Sequence, residues 1–138
     1  MNKLCFCSSF IYLTNCILAY AYDYNVYALI FFCLFVTSTL FHSNNTNYIA
    51  YILDKISIFM VVCYGGYVLY SEYNEELMIK NYMIMLTFLL TIYLYYYGWM
   101  YGKYCYDQDE DVANKYHSLM HVISSIGHLL IIHNTGPD

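Results

Sequence analysis

Apolar residues run in long stretches at about 4–22, 25–42, 48–70, 79–101 and 113–133. Each is near the ~20 residues that cross the hydrocarbon of a bilayer, although the second is short for a span and the last is polar for one. The linkers between them are short and polar: Asp23-Tyr24-Asn25, Ser43 to Asn47, Ser71 to Leu77, and Gly102 to Val112. Backbone amides inside a bilayer must be bonded internally, and long apolar runs favour helices over the short alternating strands of a barrel. The pattern predicts an all-α membrane protein in which residues 1–138 form one bundle of about five transmembrane helices.

Composition strengthens that reading. With 61% hydrophobic and 11% charged residues in 138, the chain departs far from the average soluble domain, and the spans leave no room for a soluble one. No phosphate-binding loop, nucleophile elbow or basic patch is present, so nucleotide, serine-hydrolase and nucleic-acid chemistry find no support, and the bilayer is the expected partner. Tyr93, Tyr95, Tyr96, Tyr97, Trp99 and Tyr101 crowd the end of the fourth segment, as an aromatic belt at a membrane surface would.

The lysines set an expected orientation. Lys3, Lys55, Lys103 and Lys115 fall at segment ends on the side of the N-terminus, against Lys80 alone on the other. The positive-inside rule therefore places the N-terminus of this multi-pass chain in the cytoplasm. Acidic residues cluster on both sides, Asp107, Asp109, Glu110 and Asp111 on one and Glu72, Glu75 and Glu76 on the other, and carry little weight in that rule. Residues 1–21 have a second reading as a cleaved signal peptide, with Lys3 ahead of an apolar stretch and Ala19-Tyr20-Ala21 at a cleavage-like spacing. The six cysteines, Cys5, Cys7, Cys16, Cys33, Cys63 and Cys105, read as buried thiols. Asn44-Asn45-Thr46 is a glycosylation sequon that a cytoplasmic location would leave unmodified.

Five polar residues interrupt the spans and carry the candidate chemistry: Ser38 and His42, Asp54, and His117 and His121. Ionisable residues within membrane segments are rare and usually face a bundle interior. An even number of crossings separates His42 from Asp54 and Asp54 from His117, so all five fall near one membrane surface. Ser38 and His42 are i and i+4 on one helix face, as are His117 and His121. Three imidazoles with an open fourth position form the ligand set of a catalytic zinc site, where Asp54 would hold or deprotonate a water and Ser38 would orient it or donate to a developing oxyanion. The plainer alternative stays open at this point: a solvated or hydrogen-bonded histidine pair, and an aspartate paired with Lys55 or a backbone group. Ser124 and His128 continue the His117/His121 stripe, so His128 is either an ordinary packed histidine or the lining of a path into the site. His133 reads as an ordinary histidine.

The ordered set Ser38-x-x-x-His42, Asp54, His117-x-x-x-His121 resembles the CREST superfamily of membrane hydrolases, which includes alkaline ceramidases, progestin and adiponectin receptors, lipid-remodelling proteins of GPI-anchor maturation and myomaker-like proteins. Thr37 to Phe59 is similar to the family's second and third helices, with Leu53-Asp54 matching a common Leu-Asp pair. The short interval from His42 to Asp54 is nearer the ceramidases than the receptors. Tyr116 to Gly127 is similar to its His-x-x-Trp-His segment, with Met120 where Trp is usual. The resemblance implies a zinc ion on His42, His117 and His121, Asp54 and Ser38 around its water, and hydrolysis of a membrane lipid amide or ester. Family members usually have seven helices, three of them between the Asp helix and the His-pair helix, where this chain has only residues 79–101. That shortening leaves three expectations: lipid chains exposed to the bilayer, a second copy completing the wall as a homo-oligomer, or a zinc-pinned protein without turnover that acts in membrane remodelling or fusion.

Overall fold

The computed structural model describes residues 3–44, 46–72 and 77–134, and the architecture is an all-α bundle. Its long elements are α1 (Lys3–Ser9) and α2 (Ile11–Ala21), which together form one span, then α3 (Asn25–Ser43) and α4 (Tyr48–Ser71). A composite fourth span follows, made of α5 (Met78–Ile92), a π-helical turn Tyr93–Tyr97, α6 (Gly98–Tyr101) and a 3₁₀ turn Tyr104–Tyr106. The last helix is α7 (Glu110–Asn134). Four segments are long and apolar enough to cross a membrane: Lys3–Ala21, Asn25–Ser43, Tyr48–Ser71 and Met78–Tyr106. The chain is therefore a multi-span helical membrane protein by length and composition. The fifth expected span, α7, has the length, at 25 residues, but four histidines keep it outside that apolar set. Glu75, Glu76 and most of the expected linker Ser71 to Leu77 lie outside the described residues.

Burial follows helical periodicity with little drift. On α4 the buried positions are Ala50, Asp54, Ser57, Val61, Gly65 and Val68, a stripe of three- and four-residue steps. On α3, Tyr27, Phe31, Leu34, Ser38 and His42 do the same, so the apolar core stripe runs directly into the polar pair at the helix end. The opposite faces, with Leu29, Phe32, Phe59 and Met60, are exposed where lipid would cover them. The least apolar long helix takes the most enclosed place: α7 packs against α1, α2, α4 and α5. Lipid cannot hydrogen-bond to its histidines and serines, whereas neighbouring helices can.

Polar contacts a turn or so apart join α7 to the first half of the chain. The Ser125 hydroxyl donates to Asn15 Oδ1 at 2.6 Å, and Asn15 Nδ2 donates back to the Ser125 carbonyl at 3.4 Å. Farther along, Tyr27 and Nδ1 of His128 form a hydrogen-bonded pair, with the Phe31 ring against the same imidazole at 5.4 Å. Gly65 makes room for this pair, because a Cβ there would meet the Tyr27 oxygen at 2.6 Å and the His128 ring at 3.0 Å. His128 is thus a packed member of the interhelical contact, held by Tyr27 and Phe31. His133 is exposed, with its ring 6.3 Å from that of Tyr22.

The cysteine expectation needs correcting. Cys5 is buried in the bundle, but Cys7, Cys33 and Cys63 are exposed, and Cys16 and Cys105 are intermediate. In a span the outer face meets hydrocarbon, so a thiol gains no more from the interior than from the lipid side.

Candidate metal centre

The site lies at the end of the bundle where α3 stops, α4 starts and α7 starts. His42 and Ser38 occupy the last two turns of α3. Asn47 caps α4, accepting from the Ala50 amide at 3.1 Å, which starts that helix early enough to place Asp54 on its second turn. Asp109 begins α7 in the same way, accepting from the amides of Asp111 at 2.9 Å and Val112 at 3.3 Å. With Glu110 and Asp111 in the first turn, this terminus matches the positive end of the helix dipole. Two turns later His117 and then His121 face inward.

These elements bring the three imidazoles together. Ring centroids are 5.1 Å apart for His42 and His117, 5.4 Å for His42 and His121, and 4.9 Å for His117 and His121. One nitrogen from each lies within 4.8 Å of the others. A tetrahedral ion with metal–nitrogen bonds of about 2.0–2.1 Å needs nitrogens about 3.3 Å apart, which modest side-chain rotation supplies. His42 and His121 are buried, and His117 is half-buried, on the more open side of the cluster. Nε2 of His42 is buried with no hydrogen-bond partner among the described residues. An unpaired buried polar atom costs about 1–3 kcal/mol, an unfavourable arrangement for packing alone and a favourable one for a ligand lone pair. The group His42, His117 and His121 could hold a metal ion.

Asp54 and Ser38 complete the constellation. Asp54 is 4% exposed, and its Oδ1 is a second buried atom without a partner among the described residues. Its Oδ2 lies 4.0 Å from the Lys55 ammonium, which also rests over the rings of Tyr51 at 5.4 Å and Tyr95 at 5.0 Å. Lys55 thus neighbours the carboxylate without satisfying it. Ser38, 1% exposed, sits beside Asp54 and bonds to the Ser9 hydroxyl at 2.9 Å. The Ser9 hydroxyl also reaches the Cys5 carbonyl at 2.8 Å, and the Ser38 hydroxyl faces the Asp54 carboxylate, a group that can only accept.

Of the five residues singled out in the sequence, the three histidines form one cluster, with Ser38 one turn from His42 and Asp54 beside Ser38 at the same end of the bundle. Missing from that set were the groups that α1 and α2 contribute: Ser8, whose hydroxyl lies 2.8 Å from Nδ1 of His121, Ser9, and Tyr12, whose ring lies 5.2 Å from that of His121. The available signal was the spacing of Cys5, Ser9 and Tyr12, an inward-facing polar stripe in an apolar segment. No family model, curated protein or solved structure matches this chain.

Proposed function

We propose that this protein is a zinc-dependent intramembrane hydrolase of a lipid amide or ester, ceramidase-like in its chemistry. The observation that carries the reading is the gathering of three imidazole nitrogens within 4.8 Å, at the bundle end where Asp54 keeps a buried carboxylate oxygen with no partner among the described residues. Three neutral imidazoles with an open position are a ligand set of catalytic zinc, and the ion when bound would polarise a carbonyl and ease deprotonation of water. The chain's own residues do the rest. The unbonded Oδ1 of Asp54 can accept a hydrogen from a water whose oxygen faces the substrate carbonyl, with the neighbouring Ser38 to orient that water. As the water oxygen bonds to the carbonyl carbon, Asp54 takes its proton. Asp54 then returns that proton to the departing amine or alcohol as the C–N or C–O bond breaks, leaving a fatty acid. The resemblance to the CREST superfamily supports this assignment of roles, and the lysines Lys3, Lys55, Lys103 and Lys115 support a cytoplasmic location for this end.

A second reading, a zinc-pinned protein acting in membrane remodelling or fusion, is favoured by the thin middle of the bundle. The fourth span has 17% of its most apolar window buried, and two grooves on the α4 side lie apart from the histidines. One, of about 560 Å³, is lined by Gly66, Leu69, Tyr70 and Ser71. The other, of about 340 Å³, runs along Ile30, Phe59 and Tyr67. Elemental analysis of the detergent-purified protein beside His117→Ala tests the common core of both readings. About one zinc per chain, lost in the variant, is expected; no zinc in either overturns them. Incubation of the zinc-loaded protein with ceramides and phospholipids then separates them, because release of fatty acid is expected only of the hydrolase.

A further inference from the structure

The first helix of the chain carries no metal ligand, yet it touches two residues of the site. Ser8 and Ser9 are successive residues on the last turn of α1, and both hydroxyls turn back to one acceptor, the Cys5 carbonyl, at 3.1 and 2.8 Å. Each hydroxyl has a single proton, and that carbonyl is within reach of both. What remains on a serine so bonded is a pair of acceptor lone pairs. Ser9 shares a hydrogen bond with the Ser38 hydroxyl at 2.9 Å, and Ser8 lies 2.8 Å from Nδ1 of His121. Where the Ser8 proton goes to Cys5, Nδ1 of His121 is the donor to Ser8 and carries the ring proton. Its Nε2 is then the unprotonated one, the form a metal requires.

We propose that Ser8 is a positioning residue for the metal centre, fixing the tautomer and ring orientation of His121 so that Nε2 is committed to the ion. This inference rests on the metal-site reading above and adds a partner on a helix outside the ligand set. Histidine ligands ordinarily donate their second N–H to a carboxylate, carbonyl or water that holds the ring, and loss of such a partner weakens metal binding about 10–100-fold. Here a serine back-bonded to its own helix does that work. The Tyr12 ring, 5.2 Å from His121 and 5% exposed, closes another side of the imidazole. The role requires α1 to stay with the bundle, so it is incompatible with cleavage of residues 1–21 as a leader.

The test is the zinc affinity of the detergent-purified full chain, measured by competition with a chromophoric chelator, together with the visible spectrum of the cobalt-substituted protein. Ser8→Ala is expected to bind zinc about 10–100-fold more weakly and to shift the cobalt bands. Ser8→Thr, which restores the hydroxyl, is expected to recover most of the affinity, whereas the isosteric Ser8→Val is not. The Thr and Val pair keeps the comparison valid if the alanine variant folds poorly. Ser71→Ala, which removes a hydroxyl bonded to the Val68 carbonyl at the opposite end of α4 from Asp54, is the control and should bind like the parent. Equal affinity in Ser8→Val and Ser8→Thr, with His121→Ala abolishing binding, overturns the role of Ser8 while leaving the metal site intact. No zinc in the parent chain overturns both, and zinc binding without lipid hydrolysis overturns the hydrolase reading alone.

Discussion

Replacing His42 by alanine should separate a metal ligand from a core histidine, because the two roles predict opposite patterns of stability. Without metal, the substitution removes ring contacts, a loss of about 2 kcal/mol for a partly collapsible site of this size. It also removes the unpaired Nε2, whose burial costs about 1–3 kcal/mol. The two effects oppose each other, so the metal-free variant and metal-free parent should differ by about 1 kcal/mol or less. Zinc changes the picture only for the parent. Binding to the folded state at a hundredfold excess over Kd adds about 2.7 kcal/mol, and this increment should vanish in His42→Ala. Equilibrium unfolding in mixed micelles with graded SDS, followed by helical circular dichroism with zinc or with chelator, measures all four values. A parent indifferent to zinc would refute the reasoning, as would a variant that keeps the increment. A variant several kcal/mol less stable in both conditions would mark His42 as structural.

Three further outcomes are expected. Asp54→Asn should keep its zinc and lose turnover about 10²–10⁴-fold, the usual weight of a general base; loss of metal and activity in parallel would mean that Asp54 is a ligand instead. Ser125→Ala should destabilise the bundle by about 0.6 kcal/mol, the average for interhelical hydrogen bonds in membranes, and by no more than about 1.7 kcal/mol; an unchanged unfolding curve would show that the Asn15–Ser125 contact contributes nothing. Gly65→Ala should cost about 1–3 kcal/mol because its Cβ would meet the Tyr27 oxygen at 2.6 Å. That cost should fall in a Tyr27→Phe background, and a double-mutant cycle with no coupling would rule out the proposed clash.

Several features of this protein were legible in the residue order. Long apolar runs dictate helices because an unbonded amide is intolerable in hydrocarbon, and short linkers make neighbouring spans antiparallel. From those crossings alone, His42, Asp54 and His117 fall at one membrane surface. The i, i+4 pairs Ser38/His42 and His117/His121 follow from helical periodicity and hold in the fold, where both pairs turn inward. Elements with local irregularity were less legible: the first span breaks at Phe10, and the fourth carries a π-helical turn at Tyr93–Tyr97 that brings Tyr95 to Lys55. Apolarity is continuous through both, so nothing in hydrophobic patterning marks the change of helix type.

Which faces meet was decided only by tertiary structure. In a soluble helix the apolar stripe identifies the buried side, but α3 and α4 are apolar nearly all round, and lipid accepts Leu29 or Phe59 as readily as the interior accepts Leu34 or Val61. Only the polar residues distinguish inside from outside, so the sequence by itself determined that Ser38, His42, Asp54, His117 and His121 belong in the bundle. It could not determine their partners, since each partner comes from another helix at a distance in sequence: Ser8 for His121, Ser9 for Ser38, Asn15 for Ser125 and Tyr27 for His128. Those pairings depend on the rotation of each helix about its axis and on which neighbour it packs against. Both are settled by the fit of side chains between helices, a property of the assembled bundle.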